Sequence, residues 1–434
     1  MTSSPAHSNR MGRGLDVLAL ACIILIACSL RPAASSLGPV LSEVQGAFAL
    51  ADWQTGLLTA LPGLIFAICG FIAVPVLKRL GLFRSLLISC VLIAVGVGSR
   101  ALVESWVSFA GLTVVALAGM SIGNVILPVF VKARFPTRTS LGATAFTVSL
   151  GLGSMLPAFL TAPIAGHFDN WRAGLGVWAL VPVCALVTWI VLKLARSVPS
   201  LDPSVQDTHE AAPPRRHIFT SSKARYMAMF FGLQSVNAYV QFGWLPQVYR
   251  DAGLDPILAG LMLTIVTLGG IPGGFLAPQI VMRSILPRFF LVSFSVSAVG
   301  GYLGLLLMPA AMPLLWAILL GYGGFAFPAA LALITGRTHD VAITARTSAF
   351  VQSSGYVLAA IGPLVVGGLL GFSGGWTVPL WFMVGVSTLM GVTGFLAASP
   401  GTVDDELAPA GARGGSAGIR GGSADVRGGM PGQK

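Results

Sequence analysis

The chain has 434 residues, of which 55% are hydrophobic and only 9% charged. A soluble domain carries about 25% charged residues, so this composition excludes a water-solvated globular protein and makes lipid the solvent for most of the chain. The formal net charge of +11 would suit a nucleic-acid partner, but the cations gather at the ends of apolar runs, which argues against that class.

Arg10 and Arg13 precede the first apolar run, residues 15–41. Within it, Leu25-Ile26-Ala27-Cys28 loosely mimics a lipoprotein cleavage site. The run continues through Pro39, however, so an uncleaved first helix behind a short N-terminal segment (1–14) is predicted. A helix rising 1.5 Å per residue from Leu15 carries Arg31 about 24 Å inward, past the middle of a ~30 Å hydrocarbon core. A charge there costs between about 3 and more than 10 kcal/mol, so Arg31 is expected to face a wet cavity or protein interior and to have a function.

Further apolar runs follow at 53–77, 84–103, 106–131, 138–162, 172–195, 224–249, 257–282, 287–308, 312–336, 343–371 and 376–398. They give twelve predicted transmembrane helices with both chain ends on one side. The turn after the second run reads Val76-Leu77-Lys78-Arg79-Leu80-Gly81-Leu82-Phe83-Arg84. Its Lys78, Arg79 and Arg84 join Lys132, Arg134, Arg138, Lys193, Arg196, Arg215, Arg216, Lys223, Arg225, Arg283, Arg288, Arg337 and Arg346 on one face. The opposite face has Arg100, Arg172 and Arg250 beside Glu43, Asp52, Glu104, Asp169, Asp251 and Asp255. The positive-inside rule then puts the basic face and both termini in the cytoplasm. A polar, Pro-containing linker (196–222) separates a six-helix bundle at 15–195 from a second at 223–398. The Gly-rich tail, 399–434, is predicted to be disordered. The five cysteines all lie within apolar runs and are read as small packing residues.

The halves repeat each other. Gly56-Leu57 matches Gly260-Leu261, Gly70-Phe71 matches Gly274-Phe275, and Arg84 matches Arg288. Leu127-Pro128 resembles Phe327-Pro328, Arg138-Thr139-Ser140 recurs as Arg346-Thr347-Ser348, and Pro157 echoes Pro363. The ordered matches predict an all-α membrane protein of two parallel six-helix pseudo-repeats, the major facilitator architecture. The turn at Lys78–Arg84 resembles the facilitator loop that sets a Gly turn among basic residues, with Lys78 where that pattern has an acid. Lys78, Arg79, Gly81, Arg84 and the Pro128 position are therefore read as topology or gating elements.

Two runs resemble the cyanate permease and 2-nitroimidazole transporter family. They are Leu30-Arg31-Pro32-Ala33 with Gly38-Pro39, and Gly123-Asn124-Val125-Ile126-Leu127-Pro128 followed by Lys132-Ala133-Arg134-Phe135-Pro136. Trp171-Arg172 and Trp244-Leu245-Pro246 fit as well, and the resemblance covers about residues 15–398. It implies a multi-pass permease of the bacterial inner membrane and leaves the substrate open.

No Asp, Glu or His falls in the middle of a run, so Arg31 has no obvious buried acidic partner. Carbonyls, polar side chains, water or a bound anion must satisfy it, and its planar donor fork suits a small anion, a carboxylate or a nitro group. The alternative is that Arg31 is tied to helix-end carbonyls near Pro32. Candidate companions are Asn124, Gln234, Asn237 and Gln241 at helical spacing with Tyr239 nearby, Trp244, and Gln352 with Tyr356 four residues on. Each could equally make an interhelical hydrogen bond.

The expected function is secondary transport of a small anion or compact polar compound, cyanate- or nitroimidazole-like, by alternating access. The rivals are a toxic-compound efflux permease of the same fold and a non-transporting membrane sensor. An enzyme is not expected, because the runs offer neither a nucleophile–base pair nor metal ligands. No cofactor is expected either, and the partners are a small-molecule substrate and the lipid bilayer, with the chain acting as a monomer.

Overall fold

The structure is a computed structural model that describes residues 5–135, 139–195, 217–283 and 286–407. Every regular element among the described residues is helical. In chain order these are α1 (Pro5–Ser29), α2 (Pro32–Ser35), α3 (Leu41–Phe48), α4 (Asp52–Arg100), α5 (Trp106–Arg134), α6 (Thr139–His167), α7 (Trp171–Gly176) and α8 (Leu180–Leu194). The second half continues with α9 (Ser222–Asp251), α10 (Pro256–Arg283), α11 (Pro287–Leu307), α12 (Pro313–Gly323), α13 (Ala326–Gly336), α14 (Val341–Ser373), α15 (Thr377–Ala397) and α16 (Val403–Leu407). A chain in lipid must satisfy its own backbone, and an α-helix does so within one segment.

Eleven stretches of the described residues are long and apolar enough to cross a membrane. The predicted seventh span, α9, has 30 residues and so has the length, but Gln234, Asn237, Gln241 and charged ends dilute its hydropathy. Those three amides are buried, so α9 turns its polar groups toward protein rather than lipid.

The first span is not the single helix predicted over 15–41. α1 stops at Ser29, and the chain resumes as α2, a 3-10 turn at Gly38–Val40, and α3. Pro32 has no N–H for the carbonyl four residues back, and its ring disfavours helical backbone at the residue before it. Arg31 accordingly takes φ −131° and ψ −26°, and its carbonyl accepts from the N–H groups of Ala34 and Ser35 at 3.0 and 3.1 Å.

The break explains a correction. Arg100, read from sequence only as one of three cations on the less basic face, is fully buried at the end of α4. Its Nη1 donates to the carbonyl of Ala33 at 3.0 Å and its Nη2 to Ser36 Oγ at 3.0 Å, with the ring of Phe109 6.0 Å from Cζ. Irregular backbone inside a membrane needs such donors from neighbouring helices.

The predicted spans at 53–77 and 84–103 run together as α4, interrupted at Gly81 (φ 74°, ψ 170°). That conformation is nearly closed to any residue with a Cβ, so glycine is what allows so tight a turn. The predicted 312–336 span is divided into α12 and α13.

The helices pack as two groups, α1–α8 and α9–α15, which meet where α4 crosses α14 and α6 crosses α10. At Gly63 a Cβ would lie 2.7 Å from the backbone nitrogen of Ala360, so the two chains touch with no side chain between them. On the acidic face, Arg250 Nη1 of α9 meets Glu43 Oε2 of α3 at 2.8 Å, and Ser42 bonds Gln247. Both contacts join the two halves.

Part of the predicted disordered tail is ordered. In α16, Val403 is buried, and Glu406 Oε2 accepts from Ser221 Oγ at 2.6 Å and from the N–H of Lys223 at 3.1 Å. Asp404 accepts from the N–H groups of His339 and Asp340 at 3.0 and 2.9 Å. Residues 196–216 of the predicted linker, 408–434 of the tail and Arg138 of the repeated triplet lie outside the described residues.

Candidate substrate site

The helix break, the α9 amides and Tyr356 of α14 converge on one cavity of about 530 Å³ between the two halves. Arg31 reaches it because Pro32 ends α1 in mid-span, leaving the side chain at an irregular position rather than on a lipid-facing helix surface. Thr147 and Ser154 of α6 line the amino-half wall, and Thr267 of α10 lines the other. The space continues past Pro278 and Met282 near the basic end of α10, whereas the Glu43–Arg250 pair closes the acidic face.

Arg31 is framed by rings. Its Cζ lies 5.9 Å from the centroid of Phe66, and Tyr239 and Tyr356 are its electrostatic neighbours. Tyr356 stands edge-on to Phe66 at 6.0 Å and to Phe231 at 5.3 Å, and Phe231 lies 6.0 Å from Phe327. Ring faces attract a guanidinium without neutralising it, so its charge stays available to a ligand. No Asp, Glu or His is among the described residues that line the cavity.

The amides are partly committed. Asn237 donates to the Leu233 carbonyl at 3.0 Å and accepts from Ser387 Oγ at 3.0 Å, which ties α9 to α15. Gln241 Nε2 donates to the Tyr302 hydroxyl at 3.0 Å, and Gln234 Nε2 to Ser235 Oγ at 2.6 Å. Each of these amides also borders the cavity.

Of the residues singled out from sequence, Arg31, Gln234, Asn237, Gln241 and Tyr356 line the cavity, with Tyr239 between them. Trp244, Gln352 and Asn124 do not. Trp244 is turned against Trp376 at 5.8 Å, beside a separate void of about 20 Å³, and its buried Nε1 has no partner. Gln352 donates to Ser348 Oγ one turn back, at 2.8 Å. Asn124, half-buried on α5, is not among the residues that line the cavity. Lys78, Arg79 and Arg84 are exposed around the Gly81 turn, far along α4 from the cavity. Phe66, Thr147 and Thr267 were not singled out, because a lone Phe or Thr in an apolar run carries no signal of its own.

Residues 21–338 match the model of the major facilitator superfamily. The chain is 31% identical to the 2-nitroimidazole transporter of Escherichia coli (strain K12), over 88% of this chain and 95% of that one. It is 31% identical to the uncharacterized transporter YycB of Bacillus subtilis (strain 168), over 86% and 91%, and 29% identical to the cyanate transport protein CynX of E. coli (strain K12), over 82% and 90%. Among solved structures, the nucleoside transporter NupG superposes with a TM-score of 0.67 at 13% identity, covering 88% of this chain and 98% of that one. The chain belongs to the major facilitator superfamily. It is a multi-pass membrane transporter of small molecules rather than an enzyme, and its named relatives include 2-nitroimidazole and cyanate carriers.

Proposed function

We propose that this transporter carries a planar, ring-sized organic anion or nitro-bearing heterocycle, with Arg31 as the electrostatic anchor. The observation that carries the reading is Arg31 itself, a cation with aromatic rather than acidic neighbours, inside a cavity of about 530 Å³ that both halves line. Pockets of roughly 300–1,000 Å³ suit drug-sized molecules, and a triatomic anion such as cyanate would leave most of this one empty. A guanidinium fork pairs two oxygens of a carboxylate or nitro group, and the lining rings of Tyr356 and Phe327 suit a flat partner.

Alternating access supplies the mechanism. The two six-helix bundles rock about the shared site, with α4–α14 and α6–α10 as the sliding contacts. With the basic face cytoplasmic, as the charge asymmetry indicates, a cavity reaching toward that face with the acidic face latched is the inward-facing state of a monomeric carrier in the inner membrane.

Counterflow in proteoliposomes tests this, comparing 2-nitroimidazole, benzoate and cyanate in wild type, Arg31→Lys and Arg31→Gln. The expected result is exchange of a ring compound by wild type, reduced in Arg31→Lys and lost in Arg31→Gln. Exchange of cyanate alone, or normal ring-compound exchange by both variants, overturns the assignment.

A further inference from the structure

We propose that a groove between α11 and α15 is a binding site for one anionic phospholipid, with the headgroup phosphate on Arg288 and an acyl chain along the groove. The groove, about 460 Å³, opens on the side of the protein away from the substrate cavity and shares no lining residue with it. On α11 it is lined by Val292, Val296 and Val299, and on α15 by Val392 and Phe395. Helical spacing aligns these residues in two facing stripes. From Val292 to Val299 the helix rises about 10 Å, which keeps the groove within the half of the bilayer next to the basic face. Its two polar lining residues, Ser295 and Thr388, spend their hydroxyls on the Ser387 and Val384 carbonyls. The lining is otherwise apolar, and Val296 and Val392 are open to the surroundings.

Arg288 sits one turn before Val292, at the basic end of this groove. Its Cζ lies 4.9 Å from the centroid of Phe395, itself a groove residue, so the guanidinium is held at the mouth. No described carboxylate lies within ion-pair distance of Arg288. Lys223 and Arg337 are electrostatic neighbours of Arg288, but Lys223 is buried beside Asp405 and Glu406, and both already donate to backbone carbonyls, Lys223 to Ser399 and Pro400 at 2.7 and 2.9 Å and Arg337 to Ala398 at 2.7 Å. Arg288, at the end of an acyl-sized apolar groove, is the charge complement of a lipid phosphate. In the amino half, the corresponding helix pair is filled instead by Trp189, fully buried and stacked on Phe83 at 5.7 Å.

Native mass spectrometry of the full chain, with equimolar phosphatidylglycerol and phosphatidylcholine of equal chain length, tests the proposal. Wild type is expected to hold one phosphatidylglycerol with at least about fivefold preference, the value of one basic residue near an anionic lipid surface. Arg288→Gln is expected to bring the two lipids to parity. Val296→Trp, which fills the groove, is expected to weaken both lipids while a thermal melt in phosphatidylcholine nanodiscs stays unchanged. A diazirine-bearing phosphatidylglycerol is expected to label peptides of α11 and α15. Equal binding of both lipids by wild type, an unchanged preference in Arg288→Gln, or a dimer that buries Val296 would each overturn the assignment.

Discussion

Arg100 and Ala33, 67 positions apart in sequence, are joined by a 3.0 Å hydrogen bond from guanidinium to carbonyl in a fully buried setting. The bond ties the end of α4 to the segment just after Arg31, and Ser36 completes the clamp from the other guanidinium nitrogen. The proposed anchor, Arg31, and the residue that clamps the segment after it are thus two different arginines. One faces the cavity, and the other holds the irregular backbone in place.

Replacing Arg100 by Gln is expected to leave the Ala33 carbonyl and the Ser36 hydroxyl short of donors. The cost to stability is about 1–3 kcal/mol, the range for an unsatisfied buried group. Counterflow should fall as well, because Arg31 loses its fixed position. A detergent melt combined with transport at saturating substrate separates the two effects, and full activity at a normal melting temperature would refute the support role.

Pro32→Ala restores an N–H and removes the steric block at Arg31, favouring a continuous first helix. Displacement of Arg31 by even an ångström is expected to reduce transport by about 10²-fold. The protein should still fold, so circular dichroism and membrane insertion serve as controls. Unchanged transport would show that the break does not place the anchor.

The Glu43–Arg250 pair joins the halves on the acidic face, with side chains 36% and 19% exposed. At that exposure the pair contributes about 0–1 kcal/mol. Glu43→Gln should therefore shift the conformational balance by no more than about fivefold toward opening on that face. Labelling of a cysteine placed at Thr147 by an impermeant maleimide, applied from that side, reads the shift. The double charge swap, Glu43→Arg with Arg250→Glu, should restore the original labelling rate.

Removal of residues 402–434 deletes α16 together with the Glu406 carboxylate that accepts from Ser221 and Lys223. Two charge-assisted hydrogen bonds are lost, and the expected destabilisation is about 1.5–3 kcal/mol for each bond to the charged group, reduced where water replaces the acceptor. Glu406→Gln isolates the charge and should cost less than the truncation. A truncated protein melting like the full chain would show that α16 merely rests on the surface.

The fold was legible because lipid leaves few choices. Apolar runs, basic loops and the displaced repeat of Gly56 and Gly260 point to paired six-helix bundles. Arg31 was legible as a charge in the wrong solvent, and the α9 amides through their helical spacing. Arg100 was not, because its partners, the Ala33 carbonyl and the Ser36 hydroxyl, belong to an irregular segment 64 to 67 positions earlier, and no side-chain pattern encodes that meeting. The short helix at Val403–Leu407 was hidden for a different reason. Five residues beside a Gly-rich stretch have too little composition of their own to signal a packed element. Trp244 follows Gln241 by three residues on nearly the same helix face, but it lies beyond the end of the cavity and packs on Trp376 instead.

A central cavity whose described lining has one arginine and no carboxylate moves little fixed charge of its own when the halves rock. Carriage of a monoanion would then transfer nearly one whole charge across the bilayer, worth about 2.3 kcal/mol per 100 mV of membrane potential. In a cell whose interior is negative, that voltage drives an anion outward and leaves a neutral nitro compound indifferent. The protonation state of the cargo, rather than any latch in the protein, would then set the direction of net flow.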